Sequence, residues 1–312
     1  MSEPPQAKPE GVDSHSPPGA NINQQFDLRK YRWDVDGDEP WPTGLCNIKQ
    51  PNCLDMYNFG HDGDELASHS GTGTVEMLEV VRLLKDAGIS SCVVGVHPLG
   101  YYGAGRVPIV WELCVPEDKL DDAAGLFKSE PLSQSYEPWP VNEPISKDLL
   151  HIFPRFHLKG VHFVFSLVSD RDWLVDCDET KCEKSFMGLP YPKLEYWAQS
   201  LLDTQRFGDL EDLIDGMNLS EEWGEEHLDL DRTANVDYAK WKNEQIRASI
   251  PETPYSVLKE MSEYARPLRP VWQKAVRGKK SRIGPELPEG HYHTRFYPIS
   301  QGDPRLEERV MF

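Results

Sequence analysis

The chain has 312 residues, with 33 Lys and Arg against 52 Asp and Glu, and a net charge of -19. This length allows a hydrophobic core in one large domain or two smaller ones. The acidic balance disfavours nonspecific binding to DNA or to an anionic membrane surface, because both are negatively charged. We therefore expect neither a DNA partner nor a membrane partner.

The sequence also predicts the cellular compartment of the protein. No stretch approaches the roughly 20 consecutive apolar residues of a membrane-spanning helix, and Met1–Pro5 lacks the layout of a signal peptide. We expect a cytoplasmic protein, with the nucleus as an alternative because residues 274–282 are basic. The six cysteines are few for this length, and we expect them to be buried free thiols.

Composition and periodicity divide the chain into regions. Residues 1–25 are rich in Pro, Ser, Gly and Gln and predict a disordered tail. Residues 26–73 predict an irregular arm rich in aromatic residues and proline. We expect an α/β core at 74–170, a mainly helical region at 171–290 and a C-terminal tail at 291–312.

The first clear element of the core is an amphipathic helix. Apolar residues recur at helical spacing over 75–87, with Thr74 as the expected N-cap and Gly88 as the expected C-terminal stop. The core continues with a strand at 89–95, a strand at 110–115, a helix at 117–128 and a hairpin formed by 155–159 and 161–168.

Helical spacing dominates from residue 193 onward and includes Val257, Met261 and Tyr264. Together the elements predict an α+β fold, in which a small mixed β-sheet is flanked by helices and followed by a helical C-terminal region.

The most informative passage joins Gly95–Leu99, Gly103–Arg106 and Val110–Val115. A strand runs into a glycine turn, a short helix and a second strand that carries Glu112. This passage resembles the motif of the DNA polymerase β-type nucleotidyltransferase superfamily. The whole chain is also similar to a group of fungal proteins that share passages such as Gly188–Lys193 and Gln199–Thr204.

In that superfamily a turn glycine cradles the nucleotide's phosphates, and alternate acids on the next strand hold catalytic metal ions. Position by position, the resemblance matches Gly95 to the turn glycine and Glu112 to the second acid. The first acid falls on Val110. The third would fall within 161–165, where there is no carboxylate.

One carboxylate is a weak holder for Mg²⁺, which requires a near-octahedral set of oxygen ligands. The resemblance therefore implies a nucleotidyltransferase fold without transfer activity, which serves as a binding or interaction module for a nucleotide or a protein partner. No catalytic residue is assigned, since Glu112 is the sole matching acid, and Mg²⁺ is expected only if the chain is an enzyme. The candidate nucleotide-binding residues are Gly95, Tyr102, Gly103, Arg106 and Glu112.

Two alternatives stay open. An active nucleotidyltransferase-like enzyme would take its missing carboxylates from Asp170 or Asp172, just past the hairpin. A structural or assembly protein would use its charged helices for self-association. Residues 203–231 carry eleven acids and one base, whereas 266–282 carry seven bases and no acid. These two segments pair either within the fold or between subunits.

Other familiar sites lack the required spacing. The glycines of 100–105 do not form a dinucleotide fingerprint, and 34–39 does not have the pattern of a calcium loop. Neither the histidines nor the pair Cys177 and Cys182 show a recognised zinc spacing. We expect no metal site and no other cofactor.

Overall fold

A computed structural model of the chain describes residues 61, 63–104, 110–139, 149–249, 260–282 and 303–306. The predicted N-terminal tail, most of the predicted arm and most of the predicted C-terminal tail lie outside these residues. None of the helices in the described ranges is long and apolar enough to cross a membrane.

The strands lie mainly in the predicted core. They are β1 Cys92–Val94, β2 Trp111–Val115, β3 Tyr136–Pro138, β4 Arg155–Leu158, β5 Val164–Ser169, β6 Cys182–Lys184 and β7 Pro190–Pro192.

The helices flank the sheet and continue after it. They are α1 Thr74–Asp86, α2 Val96–Tyr101, α3 Leu120–Lys128, α4 Asp170–Trp173, α5 Leu194–Asp203, α6 Phe207–Gly216, α7 Glu221–His227, α8 Val236–Ser249 and α9 Leu268–Arg277. Short helical turns lie at Ser68–Gly71, Glu117–Lys119, Leu132–Gln134, Leu150–Ile152, Glu179–Lys181, Gly278–Arg282 and Pro304–Leu306.

Five strands form one mixed sheet in the order β1-β2-β5-β4-β3. The central pair, β2 and β5, is parallel, and the other neighbours are antiparallel. Strands β6 and β7 form a separate antiparallel pair. The prediction of a small mixed sheet flanked by helices is confirmed, including the hairpin of β4 and β5.

Helices α1 and α3 cover one face of the five-stranded sheet. The ring of Phe127 in α3 packs 5.1 Å from the rings of Tyr136 and Phe165, centroid to centroid. On the same face, Trp111 donates a hydrogen bond from Nε1 to the backbone oxygen of Thr72, just before α1, at 2.7 Å. Burial of these aromatic rings supplies the hydrophobic stabilisation of this layer.

The N-terminus of α1 differs from the prediction. Gly73, with φ 81°, is the N-cap, while Thr74 is the first helical residue and is fully buried. A side chain at position 73 would place its Cβ 2.5 Å from the ring of Phe163, so this close approach requires glycine. The predicted stop is confirmed, because Gly88 follows the helix with φ 75°.

Helices α5 to α9 lie in the region predicted as mainly helical, which also holds the strands β6 and β7. The helix predicted through Met261 and Tyr264 is wrong for its described residues. Residues 260–267 are not helical. The side-chain amide of Asn243 accepts a hydrogen bond from the Met261 N–H at 2.7 Å and donates one to its carbonyl at 3.0 Å. These bonds occupy the backbone groups that a helix would need.

A buried cluster of charges joins the end of β5 to the helical region. Asp172 in α4 is almost fully buried and pairs with Lys242 of α8, and its second oxygen lies 3.7 Å from the guanidinium of Arg206. That guanidinium also lies 3.7 Å above the ring of Trp173. Because a buried carboxylate is costly without partners, this cluster fixes the position of α8 at the end of the sheet.

The acidic and basic segments singled out in the sequence pair within the fold. Helix α9 packs on α6 and α7 through buried side chains such as Trp272, which lies against Trp223 of α7, and through ion pairs. The ion pairs are Arg269 with Glu225 and Asp231, Arg277 with Glu221, and Arg282 with Asp215 and Glu211.

These ion pairs differ in burial, and we therefore expect them to contribute differently to the free energy of unfolding. Arg282 binds Asp215 through two hydrogen bonds of 2.6 and 2.7 Å, and the Asp215 carboxylate is 3% exposed. Burial raises the pKa of Asp215, and the Arg282 hydrogen bonds oppose that rise. We expect Arg282→Met to lower the free energy of unfolding by about 3 kcal/mol, because it leaves a buried carboxylate without its partner.

Arg277→Met is the matched control, since Arg277 is exposed and pairs with Glu221 at the surface. We expect it to cause a much smaller loss. Urea denaturation of both variants measures the difference, and equal losses would contradict the assigned role of the Arg282 pair.

Candidate functional site

A sharp turn follows the first strand of the sheet. Strand β1 ends at Val94, and Gly95 adopts φ 77° and ψ -134° before α2 begins at Val96. This backbone conformation is open to glycine and strained for any residue with a Cβ. The turn therefore depends on the glycine that the sequence motif singled out.

The structure brings Glu112 of β2 against this turn. Val94 and Glu112 are Cα partners across the antiparallel pair of β1 and β2. A Cβ at position 95 would lie 2.4 Å from Oε1 of Glu112 and 2.8 Å from its carboxyl carbon. The missing side chain of Gly95 thus makes room for the Glu112 carboxylate, which is 8% exposed.

Two further polar residues continue from Glu112 across the sheet. Glu112 is the partner of Ser166 in β5, and Ser166 is the partner of Arg155 in β4. Neighbouring strands place such partners on the same face, here the face opposite to the one that α1 and α3 cover. We call Glu112, Ser166 and Arg155 the polar row.

The polar row holds donors that lack partners among the described residues. Neither the Ser166 hydroxyl nor Nε of Arg155 makes a hydrogen bond within this part of the chain, although both atoms are buried. Burial lowers the pKa of Arg155, and the nearby Glu112 carboxylate opposes that shift. Buried donors of this kind are costly unless they are satisfied, so the row suits a ligand with acceptor oxygens.

The three acid positions of the motif that the sequence resembles fall on β2 and β5 or next to them. Val110, which the motif places on the strand, lies one residue before the start of β2 at Trp111. The third position was predicted within 161–165, but the strand register sets Ser166 beside Glu112. Glu112 is the sole acid in β2, and β5 has none.

The acids proposed as substitutes are engaged elsewhere. Asp170 Oδ1 accepts a hydrogen bond from the backbone N–H of Glu117 at 2.9 Å. It lies four residues beyond Ser166, about 13 Å along an extended strand. Asp172 is held in the buried pair with Lys242. Neither carboxylate is placed to share a metal ion with Glu112.

The other candidate residues are packed in different surroundings. Tyr102 is fully buried, and its hydroxyl donates a hydrogen bond to the Pro192 carbonyl at 2.7 Å. Burial raises its pKa well above the usual value. Gly103 has φ 89° and lies so close to Gly216 of α6 that a Cβ would come 2.7 Å from that residue's carbonyl oxygen. Arg106 lies outside the described residues.

A buried histidine supports the turn from within α2. The His97 ring stacks on Trp111 at 3.4 Å with an interplanar angle of 15°. Burial lowers the pKa of His97 to about 3, so the ring is neutral near pH 7. His97 therefore acts as an uncharged packing residue behind the polar row.

Two clusters among the described residues could hold a metal ion. The first consists of the buried thiols of Cys92, Cys114 and Cys177. The second lies at the sheet edge, where Glu137 bridges His61 Nε2 at 2.9 Å and His157 Nδ1 at 3.0 Å. Their residues are far apart in sequence, so spacing rules could not reveal either cluster.

Comparison with protein-family models found no matching family, and a search of curated proteins found no matching sequence.

The contact between Gly95 and Glu112 can be tested by substitution. We expect Gly95→Ala to lower the free energy of unfolding by more than about 3 kcal/mol, because it adds steric overlap with the carboxylate to a backbone strain of about 1–3 kcal/mol. The matched control is Gly88→Ala, since Gly88 also has a positive φ of 75° but has nothing within 4 Å of the added methyl group.

The double variant Gly95→Ala/Glu112→Ala removes the overlap and should recover part of the loss in a chemical denaturation cycle. A Gly95→Ala loss no larger than that of Gly88→Ala, with no recovery in the double variant, would show that the contact is unimportant.

Proposed function

We propose that this protein is a nucleotidyltransferase-like binding module whose ligand is a nucleotide and which does not transfer nucleotidyl groups. The observation that carries the proposal is the placement of Glu112 against the Gly95 turn, at one end of the polar row. The order of α1, β1, glycine turn, α2 and β2 agrees with the order in the motif that the sequence resembles.

The polar row offers complementary contacts for a nucleotide. The guanidinium of Arg155 carries the positive charge that phosphate oxygens require. The Ser166 hydroxyl is a further donor, and the Glu112 carboxylate is an acceptor for a ribose hydroxyl. Arg106 stays a predicted phosphate contact, because its position is outside the described residues.

The same residues argue against catalysis. Nucleotidyl transfer of this type depends on carboxylates that hold metal ions at the attacking and leaving oxygens. Glu112 alone offers one such ligand, while its neighbours in the row are a hydroxyl and a cation that repels Mg²⁺. Valine at position 110 supplies none.

The alternative of an assembly protein loses its main support. It relied on acidic and basic segments that would join separate subunits. The bases Arg269, Arg277 and Arg282 pair with acids of the same chain. These contacts leave fewer charges available for self-association.

Calorimetric titration of the purified chain with ATP, GTP, CTP and UTP, each with and without Mg²⁺, tests the proposal. We expect at least one nucleotide to bind without requiring Mg²⁺. Arg155→Gln should weaken that binding about 10- to 100-fold, the loss expected for a charge-assisted hydrogen bond of about 1.5–3 kcal/mol. Arg247→Gln is the control, since Arg247 is an exposed arginine of α8 that pairs with Glu260.

Product analysis with labelled nucleotides and Mg²⁺ or Mn²⁺ completes the experiment, and we expect no transfer product. Failure of every nucleotide to bind would overturn the proposed ligand. Metal-dependent product that disappears in Glu112→Gln would instead show that the chain is an active transferase.

A further inference from the structure

The four cysteines of the described residues converge on one place. Cys92 of β1 and Cys114 of β2 are Cα partners across the sheet. Cys177, in the loop after α4, places its sulfur 3.6 Å from that of Cys92. Cys182, the first residue of β6, is partly exposed at the rim, on the strand pair that packs beside β1. Its sulfur lies outside the group of three that are all within 4.8 Å of one another.

The spacing of the sulfur atoms suits a tetrahedral metal ion. The sulfurs of Cys92, Cys114 and Cys177 all lie within 4.8 Å of one another. Thiolates bound to zinc at about 2.3 Å in a tetrahedron lie about 3.8 Å apart. The separation of 3.6 Å between Cys92 and Cys177 is close to that value.

The surroundings favour a closed structural site. Cys92 and Cys114 are fully buried and Cys177 is 2% exposed, whereas Cys182 is partly exposed at the rim. Strand β7, the partner of β6, packs beside β1. A metal ion held by all four thiols would therefore join the pair of β6 and β7 and the loop of Cys177 to the sheet.

The loop that carries two of the thiols is held in place by its own hydrogen bonds. Asp178 Oδ1 accepts hydrogen bonds from the backbone N–H and the hydroxyl of Thr180, at 2.7 and 2.6 Å. Asp176 pairs with Lys181 at 2.8 Å. These bonds hold the backbone between Cys177 and Cys182 in a defined turn.

We propose that Cys92, Cys114 and Cys177 bind one Zn²⁺ ion as a structural site and that Cys182 closes over it from the rim as the fourth ligand. Four sulfur ligands select a soft or borderline cation over Mg²⁺ and Ca²⁺, which prefer oxygen. On binding, each thiol releases its proton to solvent and no electron is transferred. The site adjoins the polar row, since Cys114 lies two residues beyond Glu112 in β2, but the proposal does not depend on nucleotide binding.

The test is the zinc content of the full chain, purified under reducing conditions without chelator and equilibrated with Zn²⁺. We expect about one zinc per chain in a closed four-thiolate site. Replacement by Co²⁺ should give the visible absorption of tetrahedral cobalt thiolate. Removal of the ion by a chelator should lower the melting temperature, because the metal binds the folded state.

Variants identify the ligands. Cys182→Ser changes a partly exposed residue and should fold, yet it should weaken zinc binding by more than about 100-fold, because loss of even an outer partner costs on the order of 10- to 100-fold. Cys177→Ser should have a similar effect. Cys53→Ser, a cysteine outside the described residues, is the control and should keep its zinc.

Three results would overturn the proposal. The first is a reduced, folded wild-type chain that takes up no zinc. The second is a loss of zinc in Cys53→Ser as large as that in Cys182→Ser. The third is an intact mass showing that Cys92 and Cys177 are joined by a disulfide in the purified protein, with no bound metal.

Discussion

The Glu112 carboxylate lies against Gly95, and the rest of the candidate site follows from that contact. The pairing of β1 with β2 brings the two residues together, and the absence of a side chain at position 95 leaves room for the acid. The register of β5 against β2 places Ser166 beside Glu112, and the register of β4 against β5 places Arg155 beside Ser166. A strand shifted by one residue would turn the polar row to the face that α1 and α3 cover.

Buried charge organises the molecule at a second level. Asp172 with Lys242 fixes α8 at the end of the sheet, and Asp215 with Arg282 fixes the segment that follows α9. Each carboxylate is nearly inaccessible to water, so each needs its cation for the fold to be stable. Of the seven bases in residues 266–282, Arg269, Arg277 and Arg282 pair with acids of the same chain, and the Arg282 pair is buried.

Local patterns predicted elements such as α1 and β2. Apolar residues at helical spacing and a glycine stop indicate α1, and a short apolar run indicates β2. The contact of Gly95 with Glu112 was also within reach, because the two residues lie on successive strands. Ser166 and Arg155 were missed because the pairing of β2 with β5 joins distant segments, and their register depends on packing of the whole core. The convergence of the four cysteines was hidden for the same reason. The N-cap of α1 was predicted at Thr74, but the close packing of Gly73 on Phe163 sets the start of the helix. A helix was predicted through Met261, but the side chain of Asn243 binds the backbone there and overrides the local preference.

The most direct test of the central claim is a nuclear magnetic resonance titration of the isotope-labelled chain with the nucleotide that binds most tightly. The claim that the polar row and the Gly95 turn form the binding site predicts that the largest backbone amide shifts occur at Gly95, Val96, Glu112 and Ser166. Saturable shifts centred on another region, for example α9, with these amides unchanged, would contradict it.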